Sequence, residues 1–266
     1  MRQALASILG LTILALPTAP LAQGAAPASP PAAPDFARSE RLVLRSSALG
    51  EDVTIRIQYP ALGVRPGNVV LIALMPSPDA RRIAADLRKR ELETSMYGVV
   101  VVWLENAGPL DSDSLAEELA GPAYRQQNGR FTQFLSEELK PLLAKELALE
   151  GKMLVAGEGV FGRVVLQAAI EERGVFDEYV VVDITLTPEE SALLAAKAPA
   201  SASTYSNINL LQWPRNPGEP AVLEPLLDRL VEGPFYIQLD VPPGDDIQVT
   251  DYVRDRAAQM AVVPPP

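Results

Sequence analysis

Runs of strand length that are apolar at almost every position, separated by segments of helical periodicity, constrain this chain more than any other feature. Residues 69–74 and 98–104, the latter reading "GVVVVWL", carry no polar alternation, so they belong in the middle of a sheet covered on both faces. Between them, residues 79–93 place Ile83, Leu87 and Leu92 at helical spacing. Residues 130–146 do the same with Phe131, Phe134, Leu135, Leu139 and Leu142, and Pro141 is expected to bend that helix. Further strands are expected over 152–156, 179–183, 208–213 and 235–241, and further helices over 163–172, 219–231 and 249–260. The Ala/Ser-rich residues 191–206 start helical and read as a small excursion outside the sheet. Ahead of all this, residues 41–45 and 53–59, separated by "SSALGED", read as an antiparallel hairpin. The pattern predicts an α/β fold: a mainly parallel, doubly wound sheet behind an N-terminal antiparallel hairpin.

The ends of the chain suggest a compartment. Arg2 precedes an apolar run from Ala4 to Leu16, and residues 17–22 supply the small side chains a signal peptidase prefers. Residues 1–22 therefore read as a signal peptide, with cleavage between Ala22 and Ala26, and export to the periplasm or medium is expected. Residues 23–37 contain "QGAAPASPPAAP" and read as a Pro/Ala-rich linker, and residues 263–266 as a structureless tail. Residues 38–262 are left for a single domain.

Composition removes several function classes. The net charge is −11, with no Lys/Arg cluster to interrupt it, so nucleic acid is an unexpected partner. No later segment has the ~20 apolar residues of a membrane-spanning helix, and membrane insertion is not expected. Cysteine is absent, which rules out disulfides and thiolate metal sites. Histidine is absent too, which removes imidazole catalysis and every histidine-dependent triad or metal site. No metal site and no cofactor are expected.

The segment richest in chemistry is "KMLVAGEGVFGRVVLQAAIEERGVFDEYVVVD", residues 152–183. Gly157, Gly159 and Gly162 fit a dinucleotide-binding G-x-G-x-x-G between strand and helix, with Asp183 at the distance of a ribose-binding carboxylate. Against that reading, the motif falls in the middle of the domain, where a nucleotide fingerprint usually opens it. A turn that simply needs glycines is a third account.

The upstream stretch "FTQFLSEELKPLLAKELALEGKMLVAGEGVFG" resembles the esterase D-like branch of the α/β-hydrolases. There an F-x-x-F-L-x-x-E-L-x-P helix precedes the nucleophile strand and a G-H-S-x-G-G elbow. "DVTIRIQYP", "GVVVVWLEN", "GVFDEYVVVD" and "FYIQLDVPPGDD" also fall where that family places corresponding elements. The resemblance implies an α/β-hydrolase fold with an elbow at Gly157, Glu158, Gly159, Val160, Phe161 and Gly162.

The same resemblance shows what has been lost. The serine position is Gly159, which has no nucleophile, and the later elbow glycine is Phe161, whose ring is expected to reshape or fill the pocket floor. The region of the family's histidine holds Asp245 and Asp246, which could equally be turn or helix-capping residues. The loop "LMPSPD" normally gives an oxyanion N–H, but Pro76 and Pro78 have none, leaving Ser77 and Asp79. Glu219 or Glu224 falls in the region of the triad acid.

The expectation is a non-catalytic esterase-like protein that binds a small ligand or a protein partner. Candidate ligand-binding residues are Ser77, Glu158, Gly159, Val160, Asp183 and Trp213. The alternatives are a hydrolase using carboxylates such as Glu158 with Asp245 or Asp246, and a dinucleotide-binding protein. Glu158 has a plainer reading, as a carboxylate at the N-terminus of the following helix.

Overall fold

The computed structural model describes residues 38–94, 96–106, 129–147, 151–201, 203–212, 219–241 and 248–262. The expected signal peptide, linker and tail, together with Trp213, Asp245 and Asp246, lie outside these residues.

Eight strands form one sheet: β1 (Ser39–Arg45), β2 (Asp52–Gln58), β3 (Val69–Leu74), β4 (Val99–Asn106), β5 (Met153–Glu158), β6 (Glu178–Val182), β7 (Ser206–Leu211) and β8 (Phe235–Asp240). Their order is β1-β2-β4-β3-β5-β6-β7-β8. β1, β2 and β4 pair antiparallel, while β4, β3 and β5 to β8 are parallel neighbours. The apolar strands read from the sequence occupy the centre, as two-sided burial requires. β3 is buried at all six positions. Val70, Ile72 and Leu74 enter one core cluster, and Val69, Leu71 and Ala73 the other, on the opposite face.

Helices cover both faces. α1 (Ser77–Glu93) and α6 (Val249–Met260) pack with Val69, Leu71 and Ala73. The other face carries α2 (residues 129–147), α3 (Val160–Glu171), α4 (Pro188–Lys197) and α5 (Glu219–Glu232). α4 starts with a capping box in which Thr187 and Glu190 each accept from the other's backbone N–H. The expected excursion therefore begins as a regular helix.

The predicted bend at Pro141 takes a different form. Phe134–Leu139 is π-helical, and the Lys140 N–H reaches back to the Leu135 carbonyl before Lys140–Leu147 resumes the α form. A proline ring collides with the carbonyl four residues earlier in an α-helix. Widening the preceding turn relieves that collision and still keeps Phe134, Leu135 and Leu139 fully buried.

The π segment also fastens the hairpin. Glu138 Oε1 accepts from the Ser47 N–H (3.0 Å), the Ser47 hydroxyl (2.5 Å) and the Ala48 N–H (2.9 Å). Burial alone would raise the Glu138 pKa, but the hydrogen bonds from Ser46, Ser47 and Ala48 outweigh it and lower the value. A depressed carboxylate pKa adds stability above the ordinary value of 4.5, and that contribution fades as pH falls through the folded-state value. Glu138→Gln should therefore be less stable than the parent at neutral pH. Urea melts should show the difference shrinking on acidification below 4.5; a gap that stays constant would remove the ionised latch.

Candidate functional site

The glycine-containing turn sits where the fold puts it, between the central strand β5 and α3. Gly159 adopts φ 56°, ψ −114°, a combination open to glycine and strained for any other residue. Its N–H donates to the Val182 carbonyl (2.9 Å), and its own carbonyl accepts from the Arg163 N–H (3.1 Å), which starts α3. The N–H groups of Val160, Phe161 and Gly162 thus lie in the first helical turn, where none has an intrahelical acceptor. α3 begins three residues before the expected Arg163 because this turn delivers the chain directly into helical geometry.

Each glycine has its own physical reason. A Cβ at Gly157 would lie 2.6 Å from the backbone C and O of Phe161, and one at Gly162 would lie 2.7 Å from Ile184 Cγ2. Both positions hold the helix close to the sheet. At Gly159 a Cβ would meet nothing within 4 Å.

The Phe161 ring has no atom within 4 Å of a Cβ built at Gly159, and it packs partly buried against the core, 6.2 Å from the Phe131 ring. Gly162 is the α3 residue with no room for a side chain of its own, since a Cβ there would lie 2.7 Å from Ile184 Cγ2.

The loop after β3 also differs in part. The Asp79 N–H donates to the Pro76 carbonyl (3.0 Å), as does the Ala80 N–H (3.1 Å). Asp79 is therefore committed to the start of α1, and Ser77 is left as the donor from this loop. Leu74 at the end of β3 is the register partner of Gly157, which brings this loop beside the elbow.

Glu158 ends β5 opposite Val182 of β6, and Asp183 follows directly. Glu158 is half-buried, whereas Asp183 is 8% exposed with φ 50°, and its N–H donates to the Leu211 carbonyl (2.8 Å). Both residues make further interactions within the chain. Asp183 leaves the strand that the sequence extended to it, because a left-handed residue cannot continue a β ladder. Glu224 is exposed on α5.

One contributor escaped the sequence reading. Buried Gln212 accepts the Ile184 N–H at Oε1 (3.1 Å), fixing the chain beside Gly162 to the end of β7. A lone polar residue closing an apolar strand was its signal. Among the described residues, no group of three or more Asp or Glu is arranged to hold a metal ion, and no helix is long and apolar enough to cross a membrane.

A strand-turn-helix elbow on the fifth strand of an eight-stranded, mostly parallel sheet with an antiparallel N-terminal pair defines an α/β-hydrolase fold. The dinucleotide reading loses its context here, since its fingerprint opens the first strand of a sheet ordered 3-2-1-4-5-6.

Solved structures carry the same fold. An IroE-like serine hydrolase from Shewanella oneidensis is 19% identical, with a TM-score of 0.59 over 84% of this chain and 79% of that one. BES protein from Bacillus cereus is 15% identical, with a TM-score of 0.58 over 85% and 95%. A hydrolase named for enterobactin and salmochelin is 17% identical, with a TM-score of 0.54 over 84% and 96%. No family model and no curated protein matches the chain.

Proposed function

We propose that this chain is an exported esterase-fold protein that binds an acyl or ester-containing small ligand above the Gly159 turn without cleaving it. The carrying observation is Gly159 itself, which keeps the elbow's backbone and leaves open space where a nucleophile's side chain would stand. Hydrolysis through a covalent intermediate needs a nucleophile and a group that takes and returns its proton. The elbow offers no hydroxyl, and the chain has no imidazole. The orphan N–H groups at the start of α3 remain suited to a carbonyl or carboxylate oxygen. The solved neighbours named for enterobactin and salmochelin support the ligand class, one being a Shigella flexneri esterase described in the presence of 2,3-dihydroxy-N-benzoyl-glycine.

A second reading, hydrolysis by a carboxylate site, is favoured by those same neighbours, which are named as hydrolases or esterases, and by half-buried Glu158 beside Gly159. Two measurements separate the readings. Purified protein is expected to show no hydrolysis of p-nitrophenyl butyrate above buffer and to bind 2,3-dihydroxy-N-benzoyl-glycine calorimetrically. Gly159→Leu, which fills the open space, should abolish that heat. Turnover that Glu158→Gln removes would establish the hydrolase instead.

Gly159→Ser adds a third expectation. The side chain has room, but the backbone strain should cost about 1–3 kcal/mol of stability. Esterase activity should not appear, because nothing accepts the serine proton. Thermal unfolding and the same ester assay check both halves.

A further inference from the structure

Glu105, near the end of β4, gathers three guanidinium groups that are far apart in sequence. Arg56 of β2 donates to both its carboxylate oxygens, at 3.0 and 3.2 Å. Arg41 of β1 approaches to 3.5 Å, and Arg81, in the second turn of α1, to 3.7 Å. The strand registers explain the meeting. Arg41 is opposite Arg56, and Arg56 is opposite Trp103, two residues before Glu105 on the same strand face.

Among the described residues, one carboxylate among three guanidinium groups leaves two positive charges uncompensated, on a chain whose net charge is −11. Arg56 is the settled member, with its side chain 27% exposed and doubly bonded. The Arg41 and Arg81 side chains are 53% and 64% exposed and sit at the long end of ion-pair distance. Among the described residues, Arg41 also makes a long 3.4 Å hydrogen bond to the Thr54 hydroxyl. Like charges crowded in this way repel unless another anion joins them. Arginine forks suit tetrahedral or planar oxyanions, which accept from several N–H groups at once.

The location adds a constraint. Ala73 pairs with both Trp103 and Ala156, which places Glu105 level with Glu158. Two strand spacings separate them, roughly 10 Å. The arginines therefore lie at the same end of the sheet as the elbow.

We propose that Arg41 and Arg81, arranged around the Arg56–Glu105 pair, form a binding site for a dianionic phosphate group. Two uncompensated guanidinium groups match its charge, and its oxygens can be shared between them. The site is independent of whether the elbow hydrolyses anything.

Inorganic phosphate titrated into the full-length protein at constant ionic strength, against a chloride control, should give a saturable one-site heat and a saturable rise in melting temperature. Glycerol phosphate in a parallel arm distinguishes the free anion from a phosphate carried on an organic body. Arg41→Gln and Arg81→Gln should each weaken binding by about tenfold or more. Arg82→Gln removes the same charge from the neighbouring exposed position of α1, outside the cluster, and should leave the affinity unchanged. All of these side chains are exposed or ion-paired at the surface, so the variants are expected to fold. No saturable binding of either probe, or equal weakening in all three variants, would overturn the site and leave a solvated charge network.

Discussion

Gly157→Ala is expected to destabilise the protein by about 3 kcal/mol or more, the upper range for overpacking a tight site. The added Cβ would face backbone, at 2.6 Å from the C and O of Phe161 and 2.9 Å from the Gly162 nitrogen. A flexible side chain could swing away, but these atoms move only if α3 lifts from β5. A typical domain is stable by about 5–15 kcal/mol, so the loss should be plain in a urea melt and in soluble yield. Gly159→Ala is the informative partner, because it meets no atom within 4 Å and bears only the cost of its backbone angles. Equal midpoints for Gly157→Ala and the parent would mean that the elbow is looser than these distances state.

The second large effect is expected at Phe134. Its ring is fully buried in the π-helical part of α2 and lies 5.5 Å from the Phe131 ring, which in turn reaches Phe161 beside the elbow. Phe134→Ala should cost about 3–5 kcal/mol, combining lost transfer free energy with the cavity left behind. Phe134→Leu should recover much of it, since it restores most of the volume. A change below ~1 kcal/mol on Phe134→Ala would show that the widened helix can collapse onto the gap.

The fold was legible because it rests on periodicity. Strands apolar at every position announced a two-sided sheet, and "SSALGED" between two short runs announced the hairpin, whose register is Arg41↔Arg56. Boundaries were harder to read wherever one residue's dihedral angles decided them. Asp183 closed β6 early with φ 50°, and Gly159 opened α3 early. At the elbow the glycine pattern was visible, but its three members could not be told apart in the sequence. Two are glycine for lack of space and one for its angles, a distinction that exists only once helix and sheet face each other. The direction of the Phe161 ring was illegible for the same reason, since a ring in a motif gives no direction until Phe131 is beside it.

What the residues determined alone is chemical absence: without histidine, cysteine or a hydroxyl at Gly159, no arrangement of this chain produces a serine–histidine elbow. What only tertiary structure decided is juxtaposition. Arg41, Arg56 and Arg81 are far apart in an acidic sequence, and nothing in their spacing groups them. Strand pairing and the start of α1 bring them around Glu105. Charge counts along a chain sum over sequence, whereas electrostatic attraction depends on distance in space, and the sheet sets that distance.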